Sequence, residues 1–341
     1  MTTITWAKAP IPTPAATDTS ATKAYTLGDV TVEPGARGTG WLTLADGTDG
    51  NPVGIQFEIV HGKFEGPVYA LQAGIHGDEY EGQEAVRRVL AELDPATMHG
   101  TVLGIPCLNH GAFDSAGRVS TIDSGNMNRV FPGSPTGRHT ERLADLYVRE
   151  IVPAADALVD LHTGGGFGQI VPLVIIQRDY EDVAMALGLA AGDELVWKGG
   201  AWGGTSRSSF LAAGKPAITL EYGGGRYDNA VVLHQLESLR NILRYAGITS
   251  GEGKLLGHYR EVEATFGHAA VGGYLLALAE PGDVVPAGTE VARIVGHMGE
   301  IRESIVAEEE SLVVWIRRRC TTNIGDETVI LGRIETEIDV K

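Results

Sequence analysis

The chain has 341 residues, with 27 Lys and Arg against 44 Asp and Glu, which gives a net charge of −17. An acidic surface repels phosphate backbones, so the composition argues against a nucleic-acid partner. With 43% hydrophobic residues and two cysteines, the chain reads as globular and without a disulfide framework. Apolar runs fall short of the roughly 18 residues that span a bilayer, and residues 1–20 lack a secretory pattern. We therefore expect a cytoplasmic protein that makes no membrane contact.

The order of predicted elements indicates an α/β fold. Residues 1–25, rich in Thr, Pro and Ala, are predicted to form an extended arm. Apolar periodicity then predicts strands at 40–44, 54–60 and 67–73, a helix at 82–93, a strand at 102–108, a helix at 141–151, strands at 157–161 and 171–176, a helix at 182–190, a strand at 217–220 and a helix at 230–246. Such alternation favours a largely parallel sheet covered by helices on both faces.

The sequence pattern changes near residue 250. Between residues 255 and 341 short β segments recur, separated by turns such as Pro281-Gly282-Asp283, and no helix is predicted. We therefore predict a catalytic domain at 1–250, a linker at 249–254 and a small all-β domain at 255–341.

Two histidines follow buried strands and stand beside carboxylates. His76 comes directly after one predicted strand, with Glu79 three residues later, and His162 ends another strand. In open α/β sheets the carboxyl ends of strands carry the ligand site. Two imidazoles and one carboxylate suit zinc and leave a position for water. Asp160 points to the same side of its strand as His162 and could accept the ring N–H.

Two further features allow more than one reading. His-x-x-Glu is a short pattern that also arises by chance, and the strand-end context is what favours a metal site. Glu221 ends an apolar strand, so it is either a general base beside a metal or an exposed strand-end carboxylate. The loop from Arg118 to Gly133 carries two arginines, which suit an anion or an oxyanion but also occur in solvated loops.

The order of these motifs resembles the succinylglutamate desuccinylase/aspartoacylase family of the zinc carboxypeptidase clan. The motifs that carry the resemblance are Gly74-Ile75-His76-Gly77-Asp78-Glu79, Asn126-Met127-Asn128-Arg129 with Phe131-Pro132-Gly133, Asp160-Leu161-His162, and Glu221. Four motifs in one order are more specific than any single motif. The resemblance implies a zinc-carboxypeptidase-like mixed, mainly parallel sheet with helices on both faces and a small C-terminal all-β domain.

The resemblance also implies a chemistry. It implies one Zn²⁺ per subunit, bound by His76, Glu79 and His162, and a metal-activated water with Glu221 as general base and acid. The reaction would be hydrolysis of the amide bond of a small N-acyl amino acid or N-acyl diamino acid. The acetyl preference comes from likeness to the N-acetyl-diaminobutyrate deacetylase branch, whose Arg-x-Ser-x-x-Asp pattern begins here at Arg118.

The same resemblance assigns the substrate contacts. Asn128 and Arg129 match the pair that holds the substrate carboxylate, and Arg118 matches the arginine that polarises the scissile carbonyl. Arg207 is a candidate for a substrate anion, and His110, which follows Asn109, is a candidate for substrate contact.

Two other functions stay open on the sequence. One is a zinc carboxypeptidase that acts on peptides with the same metal chemistry. The other is a non-catalytic binding protein on the same scaffold. We also expect a homo-oligomer, which is common among soluble enzymes. The charge runs Glu308–Glu310 and Arg317–Arg319 are interpreted as solvated faces or as pairs across such an assembly.

Overall fold

The computed structural model describes residues 2–4, 22–48, 50–177, 181–199 and 203–340. In these ranges the strands are β1 (Thr2–Ile4), β2 (Tyr25–Leu27), β3 (Val30–Val32), β4 (Ala36–Asp46), β5 (Pro52–His61), β6 (Phe64–Ala73), β7 (His99–Ile105), β8 (Ala157–His162), β9 (Gly168–Gln177), β10 (Leu195–Gly199), β11 (Ala217–Gly224), β12 (His258–His268), β13 (Gly273–Ala277), β14 (Val284–Val285), β15 (Glu290–Val295), β16 (Ile301–Val306), β17 (Ser311–Arg317), β18 (Thr321–Thr322) and β19 (Glu327–Val340). The helices are α1 (Tyr80–Glu92), α2 (His110–Phe113), α3 (His139–Ala154), α4 (Glu181–Ala191), α5 (Ser206–Ala212) and α6 (Asn229–Tyr245), with a 3₁₀ turn at Met127–Arg129.

One mixed sheet forms the centre of the molecule. Its strand order is β14-β17-β19-β12-β10-β9-β11-β8-β6-β7-β5-β4, with β1 beside β19. The run β7-β6-β8-β11 is parallel, and so is the run β9-β10-β12, whereas β9 lies antiparallel to β11. Strands β4, β5, β17 and β19 pair in antiparallel fashion at the two flanks. The expected mixed α/β fold is confirmed, with its parallel pairings in the middle.

Helices cover both faces of the central strands. Side chains alternate along a strand, and β6 shows this directly: Leu71 packs in the cluster that contains α1, α4 and α6. The neighbouring Ala70 faces the other way, into the cluster that contains α3 and α5. Each strand in this layer therefore contributes to two cores, which is why its sequence is almost continuously apolar.

The predicted helices and strands between residues 40 and 246 are all present, with several shifted ends and three omissions. The strand predicted at 102–108 is β7, which ends at Ile105, because Pro106 has no N–H to continue the ladder. The omitted elements are α2, β10 and α5, which have four, five and seven residues and are too short for a clear periodicity.

The segment from residue 255 onward is built of strands, as expected, and it joins the central sheet. Strand β12 pairs with β10, and β17 pairs with β9 through Trp315 and Ile170. Strands β13, β15, β16 and β18 form a separate four-stranded sheet. The domain division at residues 250–255 stays a prediction, and residues 5–21 of the predicted arm lie outside the described residues.

None of the helices in the described ranges is both long and apolar enough to cross a membrane.

Three adjacent parallel strands position the candidate site. His162 is the last residue of β8 and lies opposite Glu221 of β11. On the other side of β8, Ala73 at the end of β6 lies opposite Leu161. The chain then turns at Gly74, whose φ of +69° favours glycine, and a Cβ there would lie 2.9 Å from the backbone of Cys107. This turn brings His76 to the same edge of the sheet as His162.

The shared sheet predicts that the C-terminal strands stabilise the helical part of the chain. Trp315→Ala removes a side chain that is 7% exposed and lies opposite Ile170. We expect the free energy of unfolding to fall by about 3–5 kcal/mol, the usual cost of such a truncation. Urea denaturation followed by the circular dichroism of the helices would measure it. Met298→Ala, at a side chain that is 94% exposed, is the control. An unchanged helical transition in Trp315→Ala would contradict the coupling.

Candidate functional site

A cavity of about 380 Å³ opens at the carboxyl ends of β8 and β11. Eight of the ten site residues predicted from the sequence line it: His76, Glu79, Arg118, Asn128, Arg129, His162, Arg207 and Glu221. They come from loops and elements that are far apart along the chain, so the fold alone brings them together.

His76, Glu79 and His162 converge on one point. Nδ1 of His76 lies 2.7 Å from Oε1 of Glu79, and Nδ1 of His162 lies 2.8 Å from Oε2 of the same carboxylate. The three side chains each offer a ligand atom within 4.8 Å of the others, and each residue is 2% exposed. Two nitrogens and a carboxylate at this spacing could hold a metal ion, and zinc accepts such a donor set.

The outer nitrogens of both imidazoles face hydrogen-bond acceptors. Nε2 of His76 lies 3.2 Å from Oδ1 of Asn126, and Nε2 of His162 lies 3.1 Å from Oδ2 of Asp160. Ser206 Oγ donates to the same oxygen of Asp160 at 2.7 Å. With the proton on Nε2 in each ring, both Nδ1 lone pairs point inward, which is the orientation that metal-binding histidines need. The contact expected between Asp160 and His162 is present.

The Glu79 carboxylate is the electrostatic centre of this group. It also accepts hydrogen bonds from Arg118 Nη1 at 3.0 Å and from the backbone N–H of Thr163 at 3.2 Å. Burial opposes its charge, but the imidazoles of His76 and His162 hold its pKa well below the usual value. The group therefore presents an ionised carboxylate, which is the form that binds a cation.

The two histidines differ in their surroundings. Burial and the nearby Arg118 guanidinium lower the pKa of His76 to about 4. Burial also disfavours the charged ring of His162, but the carboxylates of Asp160 and Glu79 outweigh it and raise its pKa well above the ordinary value. His162 thus lies between two carboxylates and His76 beside one, so the negative charge of the site is concentrated around His162.

Glu221 lies on β11, directly opposite His162 of the group formed by His76, Glu79 and His162. Its side chain reaches the cavity, and the surrounding protein raises its pKa to about 8 through burial, against the opposing attraction of His162. A carboxyl group whose pKa lies near neutrality can both accept and return a proton, which is what acid–base catalysis requires.

The loop residues Asn128 and Arg129 form the wall beside His162. Nδ2 of Asn128 lies 3.4 Å from Nε2 of His162, and its Oδ1 accepts from the backbone N–H of Ser206 at 3.2 Å. Arg129 donates to the carbonyl of Asn128 at 2.7 Å. Burial, together with the nearby Arg118 charge, lowers the pKa of Arg129, although the group stays cationic. Two guanidinium groups therefore face the same cavity.

Arg207 is a third cation in this cavity and the most deeply buried. The residue is 3% exposed, and its Nη1 has no hydrogen-bond partner among the described residues. Burial lowers its pKa to about 10, while Asp160 and Glu221 oppose that shift. A buried guanidinium with an unused N–H is costly unless a ligand supplies an acceptor.

The substrate contact suggested for His110 stays a prediction, and the structure places this residue outside the cavity lining. It begins α2 and does not line the cavity; its ring packs against Trp41, with 5.2 Å between the ring centroids. The preceding Asn109 caps the helix by accepting from the N–H of Ala112, and this cap turns His110 toward the sheet flank.

Part of the cavity wall comes from residues after 255, none of which the sequence singled out as a site residue. Phe266, Trp315, Asp326 and Glu327 all line it. Arg317, interpreted from its charge run as solvated, is instead 6% exposed. It donates to Oδ2 of Asp326 at 2.9 Å and to the carbonyl of Thr321 at 2.9 Å, and so ties this wall together. These contacts depend on strand pairing between distant segments, for which no local sequence pattern exists.

Comparison with known proteins identifies relatives that match most of the chain. Residues 65–246 match the succinylglutamate desuccinylase/aspartoacylase catalytic domain. The N-alpha-acetyl-L-2,4-diaminobutyric acid deacetylase of Halomonas elongata is 29% identical over 284 residues, which is 79% of this chain and 83% of the relative.

Solved structures give the same answer for the fold. A succinylglutamate desuccinylase from Silicibacter sp. TM1040 superposes with a TM-score of 0.80 at 26% identity, over 88% of this chain and 95% of that one. The product-bound ectoine utilization protein EutE (DoeB) from Ruegeria pomeroyi superposes with a TM-score of 0.79 at 27% identity, over 87% and 95%. Since the matched domain covers more than half of the residues, the chain belongs to the succinylglutamate desuccinylase/aspartoacylase family.

Proposed function

We propose that this protein is a zinc-dependent deacylase that hydrolyses the amide bond of a small N-acyl amino acid or N-acyl diamino acid, with acetyl as the preferred acyl group. One observation carries the proposal: His76, Glu79 and His162 offer ligand atoms within 4.8 Å of one another in the cavity that also holds Glu221. The acetyl preference rests on the Halomonas elongata relative, whose name states that it deacetylates acetyl-diaminobutyric acid.

The metal would be held by His76 Nδ1, His162 Nδ1 and the Glu79 carboxylate. Two nitrogens and an oxygen leave a coordination position for water, as in other catalytic zinc sites. Zinc bound there would lower the pKa of a water molecule and polarise an acyl carbonyl. Asn126 and Asp160 orient the rings through Nε2, and this support keeps the donor atoms aimed inward.

Glu221 and Arg118 would act on the reacting atoms. Glu221 accepts a proton as the water oxygen attacks the acyl carbon, and it returns that proton to the nitrogen as the C–N bond breaks. Arg118 is 33% exposed and uses Nη1 for Glu79, so its other amino group is free to donate to the carbonyl oxygen as negative charge develops there.

Three residues would hold the substrate carboxylate. Asn128 and Arg129 present an amide and a guanidinium beside His162, and Arg207 adds a buried guanidinium with an unused N–H. Guanidinium groups pair with carboxylates in a two-pronged geometry, which fixes the orientation of the substrate as well as its affinity.

A small substrate fits this cavity better than a peptide does. Trp315, Asp326 and Glu327 line the same cavity as Arg118 and Arg129, and the cavity volume is about 380 Å³. A cavity of this size suits a small molecule, so we place the carboxypeptidase alternative second. A non-catalytic binding role does not explain why the possible metal ligands His76, Glu79 and His162 share a cavity with Glu221.

We also propose a homo-oligomeric assembly, a cytoplasmic location, the absence of nucleic-acid and membrane partners, and the domain division at residues 250–255.

The proposed metal site predicts zinc binding. The purified protein should contain about one Zn²⁺ per chain, and His162→Ala should lose it, because two remaining ligands hold zinc poorly. Metal content after dialysis, measured by plasma mass spectrometry, tests this. His110→Ala is the matched control, since His110 does not line the cavity, and it should keep its zinc. Equal zinc in both variants would remove His162 from the site.

The proposed proton transfer predicts a loss of turnover in Glu221→Gln. The amide cannot accept the proton from water, so kcat should fall by about 100- to 10,000-fold. Steady-state kinetics on an N-acetyl amino acid, with zinc content measured in the same samples, checks the result. Turnover near that of the native protein, with zinc bound, would exclude Glu221 as the base.

The proposed carboxylate contact predicts an effect on KM. Arg129→Ala should raise KM by about 10-fold or more, the cost of one charge-assisted hydrogen bond, with a smaller change in kcat. The effect should disappear for the corresponding N-acetyl amino acid amide, which lacks the carboxylate. Arg333→Ala, an exposed arginine outside the cavity, is the control. Equal losses on acid and amide would argue against the contact.

A further inference from the structure

One side of the cavity is apolar, and the chemistry proposed above does not use it. Six apolar side chains line this side: Ile170, Ile175, Trp197, Phe266, Trp315 and Ile330. We call them the apolar wall. Five of the six are 5–7% exposed, and Phe266 at the rim is 37% exposed. Charged residues line the same cavity, and three of them, Arg317, Asp326 and Glu327, come from the C-terminal segment.

Strand pairing holds the apolar wall as one continuous surface. Ile175 of β9 lies opposite Trp197 of β10. The rings of Trp197 and Phe266 are 5.8 Å apart. Ile330 of β19 lies opposite both Phe266 of β12 and Trp315 of β17. Because these side chains stand on paired strands, the wall is preformed and needs no rearrangement to receive a ligand.

The wall begins next to Glu221. Ile175 lies opposite Thr219 of β11, which is two residues before Glu221 and therefore on the same face of the strand. In the proposed reaction Glu221 gives a proton to the leaving nitrogen, and Arg129 and Arg207 hold the carboxylate. In the substrate, the α-carbon lies between this nitrogen and this carboxylate and carries the amino-acid side chain. The side chain therefore borders the apolar wall.

We propose that the preferred substrates are N-acyl amino acids with a large apolar or aromatic side chain, which packs against the apolar wall. This inference rests on the proposed function, and it narrows the amine part of the substrate. A cavity of about 380 Å³ lies in the range of about 300–1,000 Å³ that takes drug-sized ligands, well beyond the needs of an acetyl group. A charged side chain packed against these six side chains would lose water without gaining a hydrogen-bond partner from them.

Substrate series test the proposal on the zinc-loaded, full-length protein. The first series keeps acetyl fixed and varies the amino acid through alanine, leucine, phenylalanine, tryptophan, aspartate and 2,4-diaminobutyrate. We expect kcat/KM for the phenylalanine or tryptophan substrate to exceed that for the alanine substrate by about 10-fold or more, the discrimination typical of an apolar pocket. A preference for aspartate or diaminobutyrate over every apolar side chain would overturn the proposal; for diaminobutyrate, Glu327 at the cavity would be the partner of the ammonium group.

The second series separates the side chain from the acyl group. It keeps alanine fixed and lengthens the acyl chain from acetyl to octanoyl. If kcat/KM rises with the length of the acyl chain and does not rise with an aromatic amino acid, the apolar wall accepts the acyl group and the proposal is wrong.

A variant pair links the preference to the wall. Phe266→Ala removes a rim side chain that is exposed enough for the change to spare the fold, and Tyr274→Ala removes an exposed aromatic from β13, outside the cavity. We expect Phe266→Ala to lower the ratio of kcat/KM for N-acetyl-phenylalanine over N-acetyl-alanine by about 5- to 10-fold. Tyr274→Ala should leave the ratio unchanged. An unchanged ratio in Phe266→Ala would overturn the role of the wall.

A binding measurement separates this proposal from the proposed function. If no N-acyl amino acid is hydrolysed, the proposed function fails, and titration calorimetry with N-acetyl-phenylalanine and N-acetyl-diaminobutyrate still tests the wall. Tighter binding of the phenylalanine compound, weakened about 10-fold in Phe266→Ala, supports the wall; equal binding of the two compounds refutes it.

Discussion

The candidate site depends on one buried carboxylate. Glu79 is 2% exposed, and its two oxygens accept from Arg118 and from the N–H of Thr163 while both imidazoles face it. An ionised group in such surroundings is costly unless positive charge and hydrogen bonds compensate it. The loop after β6, the end of β8 and the Arg118 loop therefore have to meet at this point, and a bound cation would complete the compensation.

The central sheet makes that meeting possible. Strands β6, β8 and β11 are neighbours, all parallel, and end at the same edge. Neighbouring strands lie about 4.8 Å apart, so side chains at successive strand ends come within reach of a shared ligand. The site thus needs only small adjustments in the loops, such as the turn at Gly74 that places His76 beside His162. Because the core fixes the strand ends, the side-chain atoms of His76, Glu79 and His162 that could bind a metal are in position before a metal ion binds.

The sequence predicted what depends on local context and missed what depends on distant pairing. His76, His162 and Glu221 follow buried strands, and strand-end position is visible in a linear pattern. The contact of Ser206 with Asp160 depends on how α5 packs on the sheet, and the contribution of Trp315 depends on β17 pairing with β9. His110 also follows a strand, but the cap formed by Asn109 directs it to Trp41. A position at the end of a strand therefore identifies candidate site residues in the sequence. The geometry of the loop that follows the strand determines which of these residues face the cavity.

The cavity combines two parts of the chain with different roles. Every residue assigned to the reaction lies within residues 65–246, which match the family's catalytic domain. Phe266, Trp315 and Ile330 also line the cavity and lie beyond that range, and Arg317 donates a hydrogen bond to Asp326 in the loop before β19. Substitutions in the C-terminal strands can therefore change the shape of the cavity without replacing Glu221 or any of the three possible metal ligands, His76, Glu79 and His162. The apolar wall itself is shared, because Ile170, Ile175 and Trp197 belong to β9 and β10 and the other three side chains belong to the C-terminal strands.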